Sequence, residues 1–125
     1  MILGIGIDII ENERVGRLYD KYGEKFLRRV FLSREIEYCL KHENPSQYLA
    51  ARIALKEAVS KAFGYGLGRK FQWKDVEIVK EGDRPKVIFH NKILKAFNDL
   101  ECDCRVSISH QEKNSVAIAI LETWE

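Results

Sequence analysis

Residues 2–10, Ile-Leu-Gly-Ile-Gly-Ile-Asp-Ile-Ile, form the strand on which the predicted sheet depends. Large apolar side chains occupy every second position and would share one face of a strand over 1–10: Leu3, Ile5, Ile7 and Ile9. The other face would carry Gly4, Gly6 and Asp8. Glycines inside a strand often mark a close approach of another backbone or of a ligand. No basic residue precedes the stretch, so it predicts a strand and not a signal peptide.

The longest helix is predicted over 47–63, introduced by Pro45-Ser46 and ended by Gly64. Its small and apolar residues cluster on one side, where alanines allow a neighbour to pack closely: Ala51, Leu55, Ala58, Val59 and Ala62. Its polar residues fall within about half the circumference: Arg52, Lys56, Ser60, Glu57 and Lys61.

The remaining segments complete an α+β pattern, with helices collected early and strands late. We expect a helix over 12–30 interrupted near Gly23, a short helix from Ser33, and a helix over 90–100. Strands are predicted near 75–80 and 85–89 around a turn at 81–84, and in a C-terminal hairpin over 105–110 and 115–122. The pattern predicts a single domain, 1–125, with helices on one face of an antiparallel sheet in which strand 1–10 lies beside that hairpin.

Composition is typical of a folded, soluble, cytoplasmic protein. The 125 residues are 46% hydrophobic and 32% charged, and no apolar run approaches the roughly 20 residues that cross a bilayer. Three cysteines, Cys39, Cys102 and Cys104, fit neither a disulfide framework nor a zinc site and are expected to be free thiols.

Charge is unevenly distributed although the net charge is only +2. Residues 14–34 hold seven basic residues against Asp20 and Glu24. This segment predicts an acidic partner at one face, with neither nucleic-acid nor membrane binding; the alternative is a solvated basic surface.

Asp8 and Glu57 are candidate metal ligands, because Mg²⁺ accepts one or two carboxylates together with waters and substrate phosphates. Each has a structural alternative. Asp8 and Glu11 fit a capping box, and Glu57 and Lys61 are one helical turn apart and fit a solvated ion pair.

The loop 64–70, Gly-Tyr-Gly-Leu-Gly-Arg-Lys, is a weaker candidate. Its glycines would expose backbone N–H groups to a phosphate, or would merely form a helix C-cap and turn. It is no Walker A loop, since no Ser or Thr follows Lys70. His110 ends the alternating run 106–110 and, alone, is most simply a surface or structural histidine.

Three blocks in order and spacing resemble the signatures of the bacterial holo-acyl-carrier-protein synthases, the small 4'-phosphopantetheinyl transferases. These blocks are Gly-Ile-Gly-Ile-Asp-Ile at 4–9, Ala-Arg-Ile-Ala-Leu-Lys-Glu-Ala with Ser-Lys-Ala-Phe-Gly at 51–64, and Val-Ser-Ile-Ser-His at 106–110. Each block is degenerate alone, but three in succession are specific.

The resemblance implies a role for each matching residue. Asp8 and Glu57 would hold Mg²⁺ and, with Lys61, would form the catalytic group at the pyrophosphate of coenzyme A. Four further residues would contact the cofactor: Gly64, Gly66, Ser109 and His110. A basic helix would dock the acidic helix of an acyl carrier protein through Arg14, Arg17 and Lys21. The family likeness also implies a homotrimer with active sites at the subunit interfaces.

The implied reaction is transfer of 4'-phosphopantetheine from coenzyme A to a carrier serine, with release of adenosine 3',5'-bisphosphate. Mg²⁺ and Lys61 would neutralise the charge of the pyrophosphate. Two other functions use the same residues differently: a Mg²⁺-dependent phosphohydrolase of nucleotides or coenzyme A, and a non-catalytic module that binds acidic helices.

Overall fold

The computed structural model describes residues 1–124 of the chain. Its strands are β1 (Ile2–Glu11), β2 (Val76–Glu81), β3 (Arg84–Phe89), β4 (Cys102–His110) and β5 (Asn114–Thr123). Its helices are α1 (Asn12–Tyr22), α2 (Glu24–Val30), α3 (Ser33–Leu40), α4 (Pro45–Ala62) and α5 (Asn91–Leu100), with a short 3-10 turn at Trp73–Asp75. No helix within this part of the chain is both long and apolar enough to cross a membrane.

The sheet order confirms the long-range pairing predicted for the first strand. β5 lies between β1 and β4, antiparallel to both, while within residues 1–124 β2 and β3 pair only with each other. Ile7 is opposite Ile118 and Ile10 is opposite Ser115. The N-terminal strand therefore lies beside the C-terminal hairpin in a mixed α+β fold.

The glycines of β1 allow α4 to cross directly over the strand. A Cβ atom on Gly4 would overlap the carbonyl oxygen of Ala62, and one on Gly6 would overlap that of Ala58. The close approach predicted from the glycines is thus to a helix backbone. It brings the polar side chains of α4 within reach of the end of β1.

α4 is buried on nearly all sides because it separates two apolar clusters. One cluster contains Leu55 and Val59 with residues of the sheets, and the other contains Leu49 and Ile53 with residues of α1, α2 and α3. A helix surrounded in this way has no broad solvent face. The polar arc of the helix is therefore not a solvent face, since three of its members are buried: Arg52, Lys56 and Ser60.

A buried ion pair between Lys56 and Glu35 joins α4 to α3. Nζ of Lys56 donates to Glu35 Oε1 at 2.8 Å and to the carbonyl oxygens of Trp73 and Val76 at 2.9 and 2.8 Å. The Glu35 carboxylate also accepts from the backbone N–H groups of Leu32 and Ile78. Burial lowers the pKa of Lys56, and the Glu35 charge opposes that shift. Complete hydrogen bonding is what makes such a pair tolerable in the interior.

Several predicted boundaries shift for identifiable reasons. Asp8 is not a helix cap, because β1 continues to Glu11 and α1 begins at Asn12. β4 begins at Cys102, three residues before the predicted 105, since Cys102 already pairs with Thr123. The interruption near Gly23 is confirmed: this residue has φ 57° and separates α1 from α2. The three cysteines are free thiols, as predicted.

Candidate active site

Asp8 and Lys61 meet where β1 passes under the last turn of α4. Asp8 lies on the same face of β1 as Gly4 and Gly6, which is the face toward the helix. Lys61 Nζ lies 3.0 Å from Asp8 Oδ1 and donates to the carbonyl oxygen of Ile7 at 3.1 Å. The structural alternative of a Glu57–Lys61 ion pair is wrong, since the lysine pairs with Asp8 of the strand instead.

Glu57 lies next to Asp8, so two carboxyl groups from different elements converge. Burial raises the pKa of Glu57, and the charge of Asp8 and a hydrogen bond with its carboxyl raise it further. Lys61 and Arg14 act in the opposite direction and lower the pKa of Glu57. The cluster thus concentrates negative charge at a partly buried point flanked by two cations.

This donor set fits a hard divalent cation of low protein-ligand number. Mg²⁺ is held by one or two carboxylates and completes its shell with waters and substrate phosphates. Within residues 1–124 there is no group of three or more Asp, Glu, His or Cys side chains arranged to hold a metal. A site that supplies only Asp8 and Glu57 leaves room for phosphate ligands, and it does not resemble a closed structural metal site.

The glycine loop after α4 uses its backbone N–H groups to end the helix. Gly64 N–H donates to the Lys61 carbonyl at 2.9 Å, and Gly66 N–H donates to that of Ser60 at 3.2 Å. Both glycines have positive φ, 82° and 67°, a conformation that favours glycine. The predicted exposure of these two N–H groups to a phosphate is therefore wrong, and the alternative of a helix C-cap is confirmed.

Ser109 and His110 lie at the end of β4, opposite Val116 and Ser115 of β5. Because β5 separates β4 from β1, these residues are two strands away from Asp8. In the described residues, no hydrogen bond or ion pair connects them to the carboxylate pair. One chain therefore holds two separate groups of predicted site residues.

His110 borders a basic cavity of about 360 Å³ between α3, α4 and β2. Its aromatic and cationic lining includes Tyr38, His42, Tyr48, Arg52 and Lys80. The His110 ring lies 5.6 Å from that of Tyr48, which stacks on His42 at 3.6 Å. Burial lowers the pKa of His110, and the charges of Arg52 and Lys80 lower it further.

Arg52 is the residue of this cavity that sequence analysis missed as a functional candidate. Its side chain is only 6% exposed, its guanidinium lies 4.3 Å from the Tyr38 ring centroid, and its Nε has no hydrogen-bond partner in the described part of the chain. A buried arginine without a carboxylate is prepared for an external anion. The signal in the sequence was its position inside the apolar run 49–55.

The basic side chains of α1 are exposed in one row along the helix. Arg14, Arg17 and Lys21 all face solvent. Arg17 pairs with Glu13 at 3.1 Å, with both side chains largely exposed, and Lys21 lies 5.3 Å from the Tyr22 ring centroid. Arg14, which influences the Glu57 pKa, connects this row to the carboxylate pair.

A family model described as the 4'-phosphopantetheinyl transferase superfamily matches residues 4–121, a range that contains both groups of site residues. The chain belongs to this superfamily. A holo-[acyl-carrier-protein] synthase of Chlamydia trachomatis is 38% identical over 121 residues, which cover 97% of this chain and 100% of that one.

Solved structures of the superfamily agree with the fold. A holo-(acyl-carrier-protein) synthase from Bacillus anthracis, in complex with CoA (3',5'-ADP), is 33% identical and superposes with a TM-score of 0.82, with 98% of each chain covered. The holo-[acyl-carrier-protein] synthase of Neisseria meningitidis is 29% identical with a TM-score of 0.89, covering 98% of this chain and 100% of that one. The fold described above is therefore that of the 4'-phosphopantetheinyl transferases.

Proposed function

We propose that this protein transfers 4'-phosphopantetheine from coenzyme A to a serine of apo-acyl carrier protein, releasing adenosine 3',5'-bisphosphate. One observation carries the proposal: a chain of this superfamily brings Asp8, Glu57 and Lys61 together at the end of β1. Two carboxylates and an ammonium group are the complement that transfer from a pyrophosphate requires.

Asp8 and Glu57 would hold Mg²⁺, which when bound supplies a Lewis acid for the pyrophosphate oxygens. Lys61 extends from the same helix as Glu57 and places its positive charge beside them. It is the residue proposed to neutralise or protonate the leaving phosphate. The carrier serine must lose its proton as it attacks, and the proton acceptors in this cluster are the two carboxylates.

The nucleotide portion of coenzyme A is proposed to bind the basic cavity beside His110. Its 3'-phosphate is a doubly charged group, and the cavity provides Arg52, Lys80 and His110 for it. The aromatic rings of Tyr38 and Tyr48 provide apolar surface for an adenine. Ser109 is proposed to contact the cofactor beside His110. Gly64 and Gly66 are also proposed to contact the cofactor, because the space beside each of them is open: a Cβ on either would meet no atom within 4 Å.

The separation of the two groups supports a homotrimer with interfacial active sites. The outer face of β1 exposes four large apolar side chains, from 42% to 66%: Leu3, Ile5, Ile7 and Ile9. Val116, Ile118 and Ile120 of β5 pair with three of them and extend the apolar face. A continuous apolar sheet face of this kind calls for a protein partner, and a second copy would bring one chain's carboxylates near another's cavity.

The acyl carrier protein is proposed to dock on α1 through Arg14, Arg17 and Lys21. Because Arg14 influences Glu57, an acidic helix on this surface would deliver its serine close to the carboxylate pair. Exposed charges of this kind accelerate association and make it sensitive to salt. A cytoplasmic location is also proposed, because the three cysteines are free thiols, as is usual in a reducing compartment.

Chromatographic detection of adenosine 3',5'-bisphosphate tests this proposal against its alternatives. The protein is incubated with coenzyme A and Mg²⁺, with and without apo-acyl carrier protein. We expect the product only when the carrier is present. Release of phosphate or nucleotide without the carrier would indicate a phosphohydrolase, and intact coenzyme A in both samples would indicate a binding module.

A further inference from the structure

The Asn12 side chain ties the first residue of α1 to the turn between β4 and β5. Its Nδ2 donates to the carbonyl oxygens of Gln111 at 2.6 Å and Glu112 at 3.1 Å. Its Oδ1 accepts from the Ser115 hydroxyl at 2.6 Å. Asn12 is 3% exposed and Ser115 is fully buried. The buried amide therefore uses both its donor and its acceptor, and its partners lie 99 to 103 residues later in the chain.

The backbone reinforces the same connection. Asn12 N–H donates to the Lys113 carbonyl at 2.9 Å, and Glu11, which precedes α1, provides no side-chain cap. The first N–H groups of a helix need acceptors and carry a partial positive charge. The Lys113 carbonyl of the turn supplies one of those acceptors, so this backbone contact and the Asn12 side chain together hold the turn against the end of α1.

This turn begins directly after His110. Gln111 N–H donates to the Asn114 carbonyl at 2.9 Å and closes the turn. His110 pairs in the ladder with Ser115, which belongs to the clamp that the Asn12 side chain forms with Gln111, Glu112 and Ser115. The His110 side chain borders the basic cavity, and its ring lies 5.6 Å from that of Tyr48. A displacement of the turn would therefore move His110 relative to Arg52.

We infer that Asn12 is a positioning residue for the transferase, because it holds His110 in register with the cationic cavity that takes the nucleotide phosphate. Asn12 contacts no reacting group and acts only through the turn. The inference rests on the proposed function for the identity of the ligand. It gives the N-terminus of α1, the proposed carrier-docking helix, a second role, which is to keep the nucleotide end of coenzyme A in place.

Substitution Asn12→Asp tests the inference with a change of one side-chain atom. It keeps the acceptor for Ser115 but places an oxygen against the Gln111 and Glu112 carbonyls, while the helix N-terminus stabilises its negative charge. The dissociation constants of coenzyme A and of 3'-dephospho-coenzyme A are measured by titration calorimetry. We expect coenzyme A to bind about tenfold more weakly, a loss of ~1.4 kcal/mol, with 3'-dephospho-coenzyme A within about twofold of wild type.

Ser115→Ala is the matched control, since it removes one hydroxyl contact and leaves both amide donors to the turn in place. It should change either affinity by no more than about threefold, a loss under ~0.7 kcal/mol. Asn12→Ala, which removes all three side-chain hydrogen bonds of Asn12 and keeps its backbone bond to Lys113, should show the same difference between the two ligands as Asn12→Asp.

Equal losses for the two ligands, or no loss in a variant that unfolds at the wild-type temperature, would overturn the inference. Failure of both Asn12 variants to fold would also overturn it, by making the clamp a stability element alone. Failure of the proposed function has a different signature: wild-type protein would not bind coenzyme A, or would bind it no better than its 3'-dephospho form.

Discussion

The ammonium group of Lys61 lies 3.0 Å from Oδ1 of Asp8, a residue 53 positions earlier in the chain. The contact exists because Gly4 and Gly6 allow the backbone of α4 to lie on that of β1. The same crossing brings Glu57 to Asp8. The geometry of the proposed active site therefore depends on two residues that have no side chain.

Gly6→Ala should damage stability and site together. Its Cβ would overlap the Ala58 carbonyl oxygen, and neither backbone can move without disturbing the core, so we expect a loss of about 3 kcal/mol in the free energy of unfolding. Urea denaturation measures this. Gly82→Ala is the control: its Cβ would meet no atom within 4 Å at a φ of 64°, and it should cost about 1 kcal/mol. Equal losses would contradict the packing argument.

Lys56→Met should be strongly destabilising because it leaves the Glu35 charge buried without its partner. Breaking a buried pair in this way costs about 3–5 kcal/mol. The double variant Lys56→Met with Glu35→Gln should lose less than Lys56→Met alone, as a double-mutant cycle by urea denaturation would measure. Lys95→Met breaks the exposed pair with Asp99, 3.1 Å apart, and should change stability by less than about 1 kcal/mol.

The raised pKa of Glu57 predicts a specific pH dependence of stability. The folded protein binds this proton more tightly than the unfolded chain does, so this group's contribution to the free energy of unfolding falls as pH rises above its ordinary value of 4.5. Urea denaturation in EDTA between pH 4.5 and 8 should show a steeper fall for wild type than for Glu57→Gln. Mg²⁺ at pH 8 should stabilise wild type more than the variant. Parallel curves would exclude a perturbed Glu57.

His110 should make coenzyme A binding tighter at low pH. In the free protein its pKa is lowered by burial and by Arg52 and Lys80, and a bound phosphate would favour the protonated ring. Affinity measured by calorimetry should therefore be higher at pH 6 than at pH 8, and His110→Asn should reduce the difference. An affinity that is independent of pH in wild type would place the phosphate elsewhere. The other charged or titratable side chains that line the cavity are Arg52, Lys80, Asp83 and His42.

The local sequence pattern was sufficient to predict the helices and strands, but less so to predict which of them pack against one another. The alternation in 2–10 predicted β1, and Pro45 and Gly64 marked the ends of α4 within two residues. Helical periodicity placed Arg52 and Lys56 on a polar arc, but it carries no information about a second layer. Lys56 is buried by contacts with Glu35 of α3 and the carbonyls of Trp73 and Val76. Only the assembled fold shows these contacts.

Residues of the candidate site were likewise predictable from the sequence, but their contacts were not. Sequence blocks identified Asp8, Glu57 and Lys61, yet one-turn spacing favoured a Glu57–Lys61 pair over the contact that forms with Asp8. Which ionic partner a lysine chooses depends on distances between elements, here on the glycines of β1. The basic cavity was missed because its residues come from four separated segments and Arg52 alone has no recognisable motif.

Intact-mass spectrometry of apo-acyl carrier protein tests directly whether this protein transfers phosphopantetheine. The carrier is incubated with coenzyme A, Mg²⁺ and either wild-type protein or Glu57→Gln, with EDTA as a further control. We predict that wild type adds one phosphopantetheine to the carrier, and that Glu57→Gln and EDTA each prevent the addition. Modification by a folded Glu57→Gln variant at the wild-type rate would contradict the role of the carboxylate pair, and an unmodified carrier with wild type would contradict the transferase itself.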